Sequence, residues 1–283
     1  MLKVDSHQHF WNFDPVRDTW ITEDMTVIRR DFLPDELKPI LDQNNVAGCV
    51  AVQADQSEGE TAFLLDLAKR YSFIKGVVGW VDFQSADLTN RLENYQQFPA
   101  LKGFRHILQN EQPGYLLHPG FLKGVAALKD YDFTYDILIR SSQIAETVNL
   151  VSLNPGQRFV LDHLGKPPIK NGGIQDWSAD IKALSGNENV FCKLSGLVTE
   201  ADLKHWKMED LFPYLDVVLT NFGVERIMFG SDWPVCKVAA EYPAVCGVIS
   251  GFLEQLTTYE QELIWSRNAI EFYKLEFIDD FIN

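Results

Sequence analysis

Short apolar runs alternate along this chain with longer amphipathic stretches. Eight runs read as strands: Lys3–Phe10, Val46–Ala54, Ile74–Asp82, Leu101–Leu108, Thr134–Ile139, Arg158–Leu164, Val190–Leu197 and Arg226–Asp232. Several are apolar on both faces, as in Cys49-Val50-Ala51-Val52 and Phe159-Val160-Leu161. A parallel sheet covered by helices requires that pattern. The stretches between carry helical spacing. Pro34 to Asn45 opens with a proline suited to a first turn. In Glu60 to Tyr71, Phe63, Leu64, Leu67 and Ala68 share one face. Asp87 to Phe98, Phe121 to Leu128, Ile144 to Leu153, Trp177 to Leu184, Leu211 to Phe222, Tyr242 to Leu256 and Glu260 to Tyr273 complete the helices.

From Lys3 to Arg226 the strands recur about every 32 residues, room for one strand, one helix and two loops. Eight such units predict an α/β protein, a closed (β/α)8 barrel of the TIM type. A barrel of this kind typically takes about 250 residues, and the chain has 283 with no linker or composition break. We therefore expect one domain over residues 1–283. An open doubly wound sheet is the competing topology. Its usual nucleotide-binding signatures, GxGxxG after a strand and GxxxxGK[ST], are both missing from the sequence.

Composition narrows the partners. Hydrophobic residues make up 46%, ample for a large core, while the formal net charge is −15. Nucleic acid and anionic membrane surfaces would repel such a chain. No run of about 18 apolar residues is present to span a bilayer. The segment Met1 to His7 lacks the apolar centre of a signal peptide. The four cysteines form no CxxC pair, and Cys49 and Cys192 lie inside apolar runs. These features lead us to expect a cytoplasmic protein acting on a small molecule.

In a barrel, chemistry gathers where strands end. The first strand ends Asp5-Ser6-His7-Gln8-His9. Alternation puts His7 and His9 on one face, where two imidazoles can bind one divalent cation such as Zn2+. Asp5 is expected on that face too, as an acceptor orienting a ring. The eighth ends Phe229-Gly230-Ser231-Asp232, and a carboxylate there can ligate a metal or take a proton from water. His163 closes the sixth strand, where a general acid or carbonyl-polarising group is useful; Asp162 is expected on the opposite face. In Gly103-Phe104-Arg105-His106 we expect Arg105 inward, its fork suited to a carboxylate or developing oxyanion. Lys193 and Ser195 share a face of the seventh strand. Trp11, Trp80 and Trp233 lie near strand ends, and Trp11, Lys193 and Trp233 are the candidate substrate contacts. His118 and His205 read as exposed helix-start residues.

Asp5 to Trp11, Gly103 to His106, Leu161-Asp162-His163-Leu164-Gly165-Lys166-Pro167, Lys193 to Leu197 and Phe229 to Pro234 occur in order. As a set they resemble the amidohydrolase-2 family of the amidohydrolase superfamily, in its sugar-lactonase-like branch. The resemblance implies a somewhat distorted barrel and hydrolysis of an aldonolactone such as fucono-, rhamnono- or galactonolactone. It implies His7, His9, His163 and Asp232 as the site, to which the inward Arg105 read above adds an oxyanion contact. The chain departs from the superfamily in two places: the fourth strand has no lysine for a carbamylated bridge, and the fifth no histidine ligand. One Zn2+ on His7, His9 and Asp232 is one reading of the cofactor; a metal-free site is the other. Rival readings on the same barrel are a zinc-dependent decarboxylase or amide hydrolase, and a barrel that binds a sugar acid without turnover. A homo-oligomer is compatible with the sequence.

Overall fold

A computed structural model of the chain describes residues 1–277. Its eight strands are β1 (Val4–Gln8), β2 (Gly48–Val52), β3 (Ile74–Gly79), β4 (Leu101–Ile107), β5 (Thr134–Leu138), β6 (Phe159–Leu161), β7 (Val190–Leu194) and β8 (Ile227–Phe229). Each lies inside the run predicted for it. They form one sheet in chain order, with every neighbouring pair parallel. Past β8 the chain turns alongside β1. Asp232 N donates to His7 O at 2.8 Å, and His9 N to Trp233 O at 2.7 Å. The result is a nearly closed barrel.

Around it run α1 (Pro34–Gln43), α2 (Glu58–Arg70), α3 (Leu88–Tyr95), α4 (Pro119–Ala127), α5 (Ile144–Ser152), α6 (Ile174–Ser185), a short α7 (Leu197–Glu200), α8 (Met208–Phe222), α9 (Tyr242–Leu253), α10 (Thr258–Glu262) and α11 (Asn268–Tyr273). Local chemistry starts them. Ser57 caps α2 by accepting from Glu60 N at 3.1 Å, and Thr257 with Glu260 forms a reciprocal cap on α10. The stretch expected as one helix from Glu260 to Tyr273 is split by a wider π turn over Leu263–Arg267.

The apolar residues sort into two layers. One fills the space between sheet and helices. The other plugs the barrel's lower end, where Val4, Val50, Val52, Val78, Val160 and Met228 meet Phe272 and Tyr273 of α11. With the floor sealed, ligands have access only from the strands' C-terminal ends, where the loops open.

Three local expectations change. β1 loses register with β2 between Asp5 and Gln8, so strict alternation fails there and Asp5 leaves the histidine face. β6 stops at Leu161 and β7 at Leu194, earlier than predicted. In both places the backbone turns left-handed soon after the last ladder bond, at His163 (φ 53°) and Gly196 (φ 65°), which ends the strand.

Candidate active site

His7 and His9 meet at the top of β1 with their Nε2 atoms 3.2 Å apart. Asp232 Oδ1 lies 3.3 Å from His9 Nε2 and 3.8 Å from His7 Nε2. Asp232 adopts left-handed backbone (φ 59°), a conformation Asp tolerates better than most residues. The other ring nitrogens are engaged. His9 Nδ1 donates to Val52 O at 2.7 Å, and His7 Nδ1 faces Asp162 Oδ1 at 3.2 Å. With His9 Nδ1 donating to Val52 O, and His7 Nδ1 donating to Asp162 against the Lys193 ammonium 3.1 Å from the same nitrogen, each Nε2 carries a lone pair, so two lone pairs and a carboxylate oxygen converge. Ligands about 2.0–2.1 Å from a tetrahedral zinc stand about 3.3–3.4 Å apart. The trio, all buried, fits one such cation.

Beneath the trio lies a buried ionic cluster. Lys193 Nζ is 2.5 Å from Asp136 Oδ2 and 3.0 Å from Asp162 Oδ1. Arg105 Nη1 donates to Asp162 Oδ2 at 3.0 Å, and its Nε and Nη2 donate to Gln53 Oε1 at 3.2 and 2.9 Å. Tyr273 reaches up from α11 to donate to Asp136 Oδ2 at 2.8 Å. Burial alone would raise Asp162; His7 above all, then Lys193 and Arg105, reverse this and hold its carboxyl well below the usual range. Burial, aided by Lys193 and His163, pushes His7 well below the usual imidazole range against the pull of Asp162.

His163 completes the constellation. Its left-handed backbone swings the ring into the mouth, where Nδ1 lies 2.9 Å from Ser195 Oγ. Burial pushes it down to about 4 against the pull of Asp232, so the ring is neutral near pH 7. Burial would raise Asp232, but His163, His9 and His7 outweigh it and keep the carboxylate ionised. His9, Arg105, His163 and Asp232 line a cavity of about 320 Å³, within the range of small-molecule sites.

The amidohydrolase family model matches residues 4–275. The chain belongs to the amidohydrolase family. Among curated relatives, an L-fucono-1,5-lactonase of Burkholderia multivorans is 37% identical, over 97% of this chain and 96% of that one. An L-fucono-1,5-lactonase of Burkholderia ambifaria is 32% identical over the same shares. A crystal structure of an amidohydrolase from Burkholderia multivorans with bound zinc superposes with a TM-score of 0.95 at 37% identity, covering 98% of this chain and all of that one.

Within this amidohydrolase the sequence-predicted residues fare differently. His7, His9, His163, Asp232 and Arg105 come together, Arg105 facing inward and His106 outward. Trp80 donates from Nε1 to His106 Nδ1 at 3.2 Å on that outer side. Lys193, Trp11 and Trp233, expected against substrate, lie outside the cavity wall. Lys193 is fully buried under His7, Trp11 donates from its indole nitrogen to Arg30 O, and Trp233 packs between Phe10 and Phe32. Trp20 lines the mouth instead. Asp5 orients no ring. It accepts from Ser231 N at 2.9 Å, Ser231 Oγ at 2.5 Å and Tyr242 OH at 3.1 Å, tying β1 to the segment after β8.

Asp162 is the residue sequence reasoning missed. Alternation counted through both residues sets it opposite His163. The strand ends before them, and both side chains reach the site. Lys166 and Glu200 also line the cavity. Lys166 belongs to the Leu161–Pro167 motif, which gives it no role, and Glu200, the last residue of the short α7, carries no signal in the sequence.

Proposed function

We propose that this amidohydrolase opens a sugar lactone, an aldonolactone of the L-fucono-1,5-lactone kind, to the open-chain acid. The observation that carries the reading is Asp232 Oδ1 at 3.3 Å from His9 Nε2 in a cavity that His163 also lines. The two fucono-lactonase relatives, aligned over nearly the whole chain, support the substrate class.

Water attacks the lactone carbonyl carbon while Asp232 accepts its proton. Negative charge gathers on the former carbonyl oxygen. His163, neutral and held by Ser195, offers a donor there, and Arg105 supplies positive charge from below; a preorganised donor contributes roughly 3–4 kcal/mol. Collapse breaks the bond to the ring oxygen, which leaves as the alcohol after taking a proton from Asp232. His7, His9 and Asp232 would hold one zinc ion, which supplies Lewis-acid polarisation of the carbonyl when bound. The orienting contacts belong to the chain: Val52 O fixes His9 and Asp162 fixes His7.

The test is a pH-indicator assay over a panel of aldonolactones with the wild type, Asp232→Asn and His163→Asn. Removing the proton acceptor is expected to cost about 10²–10⁴-fold in rate. Wild-type rates in both variants would overturn the assignment, and a wild type inert toward every lactone would overturn the substrate class.

A further inference from the structure

Two charged residues of the cavity wall have no part in that hydrolysis. Lys166 follows His163 by three residues, and left-handed backbone at His163, Leu164 and Lys166 (φ 53°, 54° and 53°) brings the lysine into the same cavity. Glu200 closes α7, at the exit of β7. Their contact is loose: Lys166 Nζ stands 3.5 Å from Glu200 Oε1, with side chains 24% and 25% exposed. Charge-assisted pairs that satisfy each other close to about 2.7–2.9 Å. An ammonium has three donors, and a carboxylate about four acceptor sites. Among the described residues neither side chain has a closer polar partner. Both therefore keep most of their hydrogen-bonding capacity while three-quarters buried. Gln109, on the turn after β4, lines the same cavity, and its Oε1 is buried without a partner.

A cation, an anion and an amide oxygen with unspent capacity, and no net charge between the ionic pair, match a neutral ligand rich in hydroxyl groups. A hydroxyl accepts from an ammonium and donates to a carboxylate or amide oxygen. We propose that Lys166 and Glu200, assisted by Gln109, are specificity-determining residues that read the ring hydroxyls of the substrate. The inference rests on the lactone reading and assigns its polyol recognition to the β6–β7 side of the mouth. The reacting carbonyl belongs to His163 and Asp232.

The experiment compares a polyhydroxylated six-membered lactone with δ-valerolactone, the same ring without hydroxyls. Wild type, Lys166→Met, Glu200→Gln and the double variant are each assayed on both. The wild type is expected to prefer the sugar lactone. In each single variant that preference, the ratio of the two kcat/KM values, falls about 10–100-fold, as for loss of a hydrogen bond to a charged group. Most of the loss appears in KM for the sugar lactone. A wild type without preference, or variants that slow both lactones equally or neither, would overturn the inference alone. A wild type inert on every lactone sinks the lactone reading and this inference with it.

Discussion

A Cβ placed on Gly196 would fall 2.7 Å from Nδ1 of His163. That distance is impossible for real atoms, and Gly196 also holds φ 65°, where any side chain is strained. Gly196 is thus the floor on which the His163 ring rests. In Gly196→Ala the ring is expected to shift off Ser195. A displacement near 1 Å costs on the order of 100-fold in kcat, with about 1–2 kcal/mol of strain in stability. Steady-state kinetics beside a urea melt would check this; an unchanged kcat would show that the ring tolerates displacement.

Metal-stripped protein is expected to take up one equivalent of zinc. Asp162 touches none of the three proposed ligand atoms, only the far nitrogen of His7. Asp162→Asn should therefore weaken zinc about 10–100-fold without abolishing it. Competition with a chromogenic chelator reads this directly. Equal affinities would mean that Asp162 does not orient His7.

The buried cluster makes a stability prediction. Lys193 faces two buried carboxylates, Asp136 and Asp162. Lys193→Met leaves Asp136 without a cation and Asp162 with Arg105 alone, and should destabilise the fold by about 3–5 kcal/mol. Adding Asp136→Leu is expected to restore part of that loss, because the second substitution removes one of the stranded charges. Urea unfolding of the two variants decides it, and a double variant less stable than the single would contradict the account.

Glu60 supplies a pH dependence. It is buried under the cavity wall, accepting from Ala54 N at 3.1 Å, and burial raises its pKa from 4.5 to about 7. Between those values the folded chain holds a proton that the unfolded chain has released. Its contribution is therefore fully present below about 4.5 and lost as pH rises through about 7. The full swing is about 3 kcal/mol. Glu60→Gln should flatten the stability profile across that window, as denaturant titrations at stepped pH would show; parallel profiles would rule it out.

Much of this was legible in the sequence, for physical reasons. Strands covered on both faces need both faces apolar, so Cys49 to Val52 and Phe159 to Leu161 announced themselves. Histidines and a carboxylate where such runs stop stood out against that background, which exposed His7, His9, His163 and Asp232. Arg105 followed from alternation because β4 pairs with β5 in unbroken register from Gly103 to Ile107. The same rule misplaced Asp5 and Asp162, since one sits at a register break and the other just past a strand end. Left-handed residues such as His163 and Lys166 carry side chains to places that a period of two does not foresee. Trp11 and Trp233 were misjudged because a large ring near a strand end satisfies packing as readily as it meets a ligand.

The Asp5–Ser231 tie joins parts of the chain 226 residues apart. It stands at the seam where Asp232 meets the two histidines. During synthesis, therefore, a growing chain owns its imidazole pair almost from the outset yet stays inert until the eighth strand has emerged and docked. Cutting the gene between any two repeats would yield halves that are each silent, and regained turnover on mixing would report that the seam had formed.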